Sequence, residues 1–69
     1  MTAQERLVML CSSLGLTLKF DYNSHTNQFE THVDSGSTHY RGAANELEDS
    51  AKVVCRDLKN SIDVALNEG

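Results

Sequence analysis

Thr17-Leu18-Lys19-Phe20-Asp21-Tyr22, a polar break at Ser24-His25-Thr26-Asn27, then Gln28-Phe29-Glu30-Thr31-His32-Val33-Asp34: this stretch decides the fold. Side chains alternate in character on both sides of the break, and successive side chains of a strand point to opposite faces. Leu18, Phe20 and Tyr22 therefore share a face with Phe29, Thr31 and Val33. Thr17, Lys19 and Asp21 share the other with Gln28, Glu30, His32 and Asp34. Two strands of this kind make an antiparallel hairpin covered on one side only. Keeping the core residues in phase pairs Tyr22 with Phe29, Phe20 with Thr31 and Leu18 with Val33. Ser35-Gly36 is a two-residue turn signal. It predicts a third strand over residues 37–41, with Thr38 opposite Val33 and Tyr40 opposite Thr31. In that register the open face is a grid, with Lys19, His32 and His39 in one row and Asp21, Glu30 and Arg41 in the next.

The flanks read as helices. Thr2-Ala3-Gln4-Glu5 matches a capping box, with Thr2 as cap and Glu5 reaching back. Leu7, Leu10, Cys11 and Leu14 follow at i, i+3, i+4 and i+7, which predicts a helix over about 3–14. Gly15 supplies the left-handed residue that ends it, and Leu16 closes the apolar contact. After the strands the period becomes helical again through Leu47, Ala51, Val54, Leu58, Ile62 and Leu66, predicting a helix over about 45–66. Asn45 is its expected cap, and Glu48 and Lys52 its expected i, i+4 ion pair. The class is α+β in the order α-β-β-β-α: a three-stranded antiparallel meander (strands about 17–22, 28–34 and 37–41) with both helices on its apolar face, one domain over residues 1–69. Leu10, Leu14, Phe20, Val54 and Leu58 are the expected heart of the core.

A chain of 69 residues buries only about 60% of the surface its unfolded form exposes, so stability is marginal. The formal net charge is −4, and it is concentrated late: residues 42–69 carry three bases against six acids. An acidic domain repels phosphate backbones and anionic lipid, so the expected partner is a protein with a basic surface. Cys11 and Cys55 form no Cys-x-x-Cys pair, and no signal-peptide pattern precedes them. The apolar run Leu7 to Cys11 is too short to span a bilayer. These features predict a cytoplasmic protein with reduced thiols.

The helix-strand-strand-strand-helix order over roughly residues 3–60 resembles the double-stranded-RNA-binding domain. Ala51-Lys52 looks like the Ala-Lys that ends that family's basic helix-start motif. The resemblance implies the same fold, with both helices on one sheet face. The motif's leading lysines are replaced by Glu48 and Asp49, followed by Ser50, so the implied phosphate contacts carry over to Lys52 alone. Leu14-Gly15-Leu16 is also similar to the turn that ends the opening helix of small acidic secretion chaperones.

Candidate chemistry is sparse. His32 and His39, with Glu30 nearby, are the residue types of a metal site, but closed zinc sites use three or four ligands. Cys11 and Cys55 lie on or beside apolar stripes while the histidines fall across the sheet, so no cysteine meets a base. Glu46, Glu48 and Asp49 complement the dipole of the second helix. Ser35-Gly36-Ser37 is a hairpin tip and Gly42 stands alone, so no phosphate loop exists. Phe20, Tyr22, Phe29 and Tyr40 point inward by phase, away from any base-stacking role. The reading is a non-enzymatic protein-interaction module without metal or cofactor. It would be an adaptor or inhibitor of a larger protein, of the kind found among mobile-element accessory proteins or mild nucleic-acid mimics. The alternative is a diverged double-stranded-RNA-binding domain. The expected partner-binding residues are Glu46, Glu48, Asp49, Ile62, Leu66, His32 and His39, with Ile62 and Leu66 forming a homodimer contact or docking on the target.

Overall fold

The computed structural model describes residues 1–68. Its elements are α1 (Ala3–Leu14), β1 (Thr17–Asn23), β2 (Gln28–Asp34), β3 (His39–Ala44) and α2 (Leu47–Glu68). The strands pair antiparallel in the order β1-β2-β3, and the helices pack on the sheet.

Local chemistry sets the ends of α1. Thr2 is extended, and its hydroxyl oxygen accepts the Glu5 N–H at 3.1 Å while its proton goes to the Glu5 carboxylate at 3.0 Å. Glu5 does reach back, though to the cap's hydroxyl. At the other end Gly15 takes φ 69°, and the N–H groups of Gly15 and Leu16 both reach the Cys11 carbonyl. That closes the helix with its last carbonyls partly satisfied.

The β1–β2 register is the expected one: Leu18 faces Val33, Phe20 faces Thr31 and Tyr22 faces Phe29. The β2–β3 register differs by two residues. Val33 pairs with Tyr40, Thr31 with Gly42 and His32 with Arg41. The cause is the turn. Gly36 has φ 89° and sits at the first of two loop positions, Gly36 and Ser37, between Ser35 and Thr38. A two-residue turn with positive φ only at its first position takes glycine there. Placing Ser35 in that position would have put a side chain in the left-handed region. The third strand accordingly occupies 39–44, and Thr38 is left exposed outside it.

Gly42 is where β3 meets α2. A Cβ there would collide with the Ser50 carbonyl oxygen and lie 3.0 Å from both Val53 Cβ and Val54 Cγ2. Beside this crossing, Thr31 and Ser50 are fully buried and bonded to each other at 2.7 Å. The Ser50 hydroxyl donates to the Leu47 carbonyl at 2.7 Å, so Thr31 is the donor in the pair. Helix α2 starts at Leu47, and the Glu46 carbonyl accepts its first helical bond from Ser50, so Asn45 lies outside the helix and does not cap it.

Leu7, Cys11, Val33, Ala51, Val54 and Leu58 form the core. Val54 and Leu58 are as expected. Leu10 and Phe20 are only half-buried, and Leu14 is 54% exposed. Leu14 is in phase with Leu7, but the last turn of α1 runs out of cover. Phe20 lies on edge strand β1, which is thinly covered because α2 lies across β2 and β3 while α1 packs chiefly on α2.

Candidate functional site

On the open sheet face, Glu30 organises the polar residues. Its side chain is only 11% exposed and accepts hydrogen bonds from Arg41 Nη2 at 2.7 Å, His32 Nε2 at 2.9 Å and Asn23 Nδ2 at 3.0 Å. The Arg41 hydrogen bond, then those from Asn23 and His32, hold the carboxyl down at about 2 from its ordinary 4.5. The shifted register rearranges the expected grid: Glu30 lies across from Ala43, His32 across from Arg41 and His39 across from Asp34. His32 and His39 are diagonal neighbours that still touch, with His32 Nδ1 3.0 Å from His39 Nε2. Because a carboxylate only accepts, the proton of neutral His32 sits on Nε2, and His39 Nε2 donates to His32 Nδ1. With Thr17, Lys19 and Asp34 the two rings line a shallow hollow. Among the described residues no three or more His, Cys, Asp or Glu side chains are set to share a metal ion.

The three acids at the start of α2 part company. Glu46 and Asp49 face solvent. Glu48 turns to α1, where its carboxylate accepts the backbone N–H groups of Ala3 at 2.6 Å and Gln4 at 3.2 Å. The Ala3 N–H is the main cause that lowers its carboxyl below the ordinary value. Glu48 therefore forms no ion pair with Lys52, which reaches Asp49 at 3.7 Å. The first three backbone donors of α1 are satisfied between them by Glu48 and Thr2. Cys55 Sγ lies 3.6 Å from the Ala3 carbonyl at the same seam. Burial pushes both the Cys11 and the Cys55 thiol up, so at neutral pH both are protonated.

The far end of α2 is uncovered. Ile62 is 39% exposed, Val64 54% and Leu66 74%. Thr38, Tyr40 and Val64 line a hollow between the β2–β3 hairpin and this helix end. The structure thus separates the expected partner-binding residues into three places: His32 and His39 on the sheet, Glu46 and Asp49 at the start of α2, and Ile62 and Leu66 at its end. Glu48 is taken into the helix seam.

One feature escaped the sequence reading. Arg6, Lys52, Arg56 and Lys59 line a groove of about 370 Å³ between α1 and α2, together with Met1, Ala3, Glu48 and Cys55. The i, i+4 and i, i+7 spacing of Lys52, Arg56 and Lys59 was a visible signal. The contribution of Arg6, far away in sequence, was not.

Comparison with known proteins finds no match: no family model, no curated protein and no solved structure is similar to this chain. The helix-strand-strand-strand-helix topology agrees with the resemblance drawn from the sequence. No helix among the described residues is long and apolar enough to cross a membrane.

Proposed function

We propose that this protein is a small non-enzymatic interaction module, an adaptor or inhibitor that docks on a larger protein through the uncovered end of α2. The observation that carries the reading is the exposure of Ile62, Val64 and Leu66 on a helix of 22 residues that continues past its core contact at Leu58. Ile62 and Leu66, one turn apart on one face of this helix end, mark a contact surface, while Val64 lines the hollow beside Tyr40. Among the described residues no buried side-chain polar atom lacks a partner. Glu46 and Asp49 remain outward and suit a partner with a basic surface. A second copy of the chain is one occupant that this apolar end would accept. The RNA-binding alternative has support only from the topology and Lys52.

Ile62→Glu with Leu66→Glu tests the surface, since both positions are solvent-exposed and lie outside the core cluster. Sedimentation at micromolar concentration separates the two occupants. A parent that dimerises and a double variant that does not identify a self-contact. A parent that stays monomeric removes the homodimer and leaves an external target.

A further inference from the structure

We propose that the groove between α1 and α2 is a binding site for a short acidic segment of a partner protein, separate from the uncovered end of α2. The distribution of charge carries the inference. The chain holds six Lys and Arg against ten Asp and Glu. Four of the six bases, Arg6, Lys52, Arg56 and Lys59, line this one groove. The remaining surface has only Lys19 and Arg41 against its acids, and both are already paired, Lys19 with Asp21 at 3.7 Å and Arg41 with Glu30 at 2.7 Å.

Three of the four groove bases are left free. Among the described residues, no carboxylate lies within ion-pair distance of Arg6, Arg56 or Lys59, and Lys52 makes only the 3.7 Å contact with an exposed Asp49. Glu48 is the acid that lines the groove, and the N–H groups of Ala3 and Gln4 occupy it. Nine acids have described side chains, yet the structure pairs none of them with three of these bases. Clustered like charges cost free energy in the free protein, and a complementary anion recovers it on binding. Concavity adds to this, because charges around a groove focus their field into it.

The form of the anion follows from the surroundings. A long polyanion such as duplex RNA would extend beyond the groove onto a surface that is strongly acidic and would be repelled there. A short run of glutamates or aspartates fits within the cluster. Two of the four bases are arginines, which take carboxylates in two-pronged hydrogen bonds. Met1, Ala3 and Cys55 in the lining offer apolar contact to the stems of such side chains.

The test is a fluorescence-anisotropy titration of the full chain with a labelled oligoglutamate peptide, an oligoglutamine peptide of equal length and a short RNA duplex. The expected result is binding of the glutamate peptide that weakens with salt, with no binding of the glutamine peptide. In Arg6→Gln/Arg56→Gln/Lys59→Gln its affinity falls roughly tenfold or more, while Lys19→Gln leaves it unchanged. Circular dichroism checks that the triple variant folds. Should it not, Arg56→Gln alone, on the exposed side of α2, must still weaken binding. No binding of the glutamate peptide at low salt overturns the proposal. So does equal affinity in the folded triple variant, or tighter binding of the RNA duplex than of the peptide.

Discussion

The carboxylate of Glu48 on α2 accepts the backbone N–H of Ala3, the first residue of α1, at 2.6 Å across 45 positions of sequence. It accepts the next N–H, from Gln4, as well. A helix N-terminus carries partial positive charge, and here a neighbouring helix supplies the negative side chain that stabilises it. The acid therefore ties the two helices together at the end where α2 starts.

Glu48→Gln is expected to lower Tm at pH 7 and to shift the amide resonances of Ala3 and Gln4 most. The folded state lowers the Glu48 carboxyl, so its contribution is complete above the ordinary carboxylate value. It is lost as pH falls through the depressed folded value. The difference in Tm between parent and variant should therefore shrink in acid. A difference that is constant down to the acid limb would show that the carboxylate charge plays no part.

Glu30 titrates at about 2 in the folded protein against an ordinary 4.5. The network of Arg41, Asn23 and His32 around it should support the fold fully above pH 4.5 and progressively less between there and about pH 2. Glu30→Gln is expected to flatten this part of the stability curve. Carboxyl carbon shifts followed by NMR supply the direct check: a midpoint near 4.5 for Glu30 would contradict the network.

Gly42→Ala should be among the most damaging small changes. The added methyl meets the Ser50 carbonyl, a backbone atom that cannot swing aside, and touches Val53 and Val54. Overpacking of this kind costs roughly 1–3 kcal/mol or more. Gly15→Ala has open space around it but keeps a left-handed backbone at φ 69°, and should cost about 1–2 kcal/mol. Urea denaturation of the two variants ranks them, and a Gly42→Ala protein as stable as the parent would mean β3 does not approach α2 so closely.

Leu58→Ala and Leu7→Ala each empty a buried position and should cost roughly 2–5 kcal/mol. That approaches the whole stability of so small a domain. Leu14→Ala, at a site 54% exposed, should cost far less. Equal losses at Leu14 and Leu58 would place the core elsewhere.

Duplex RNA is expected to give no measurable binding at physiological salt. Glu48 and Asp49 stand at the start of α2, where the resembled family places phosphate-binding lysines, so the counterion-release contribution is missing there. Micromolar affinity that falls steeply with salt would restore the RNA-binding alternative.

Different features of this molecule were legible to different degrees. Strand phase in β1 and β2 was plain because Leu18, Phe20, Phe29 and Val33 leave one way to bury the apolar side. Phase alone does not choose between registers two residues apart, since both put Tyr40 inward; only the φ of Gly36 decides, and that is a property of the turn. The periodicity of α1 placed Leu14 on the correct face but says nothing about where its cover ends. The link from Glu48 to Ala3 and the gathering of Arg6 with Arg56 and Lys59 depend on how the two helices meet, which no local pattern encodes.

The central claim is that α2 docks another protein through its uncovered end. Affinity capture from an extract of cells that also express untagged copies of the chain tests it most directly, with the tagged parent and tagged Ile62→Glu/Leu66→Glu compared side by side by quantitative mass spectrometry. The account predicts at least one protein, the untagged chain or a larger target, that is enriched with the parent and lost with the folded double variant. Enrichment of the same proteins by both, or of none by the parent, would contradict it.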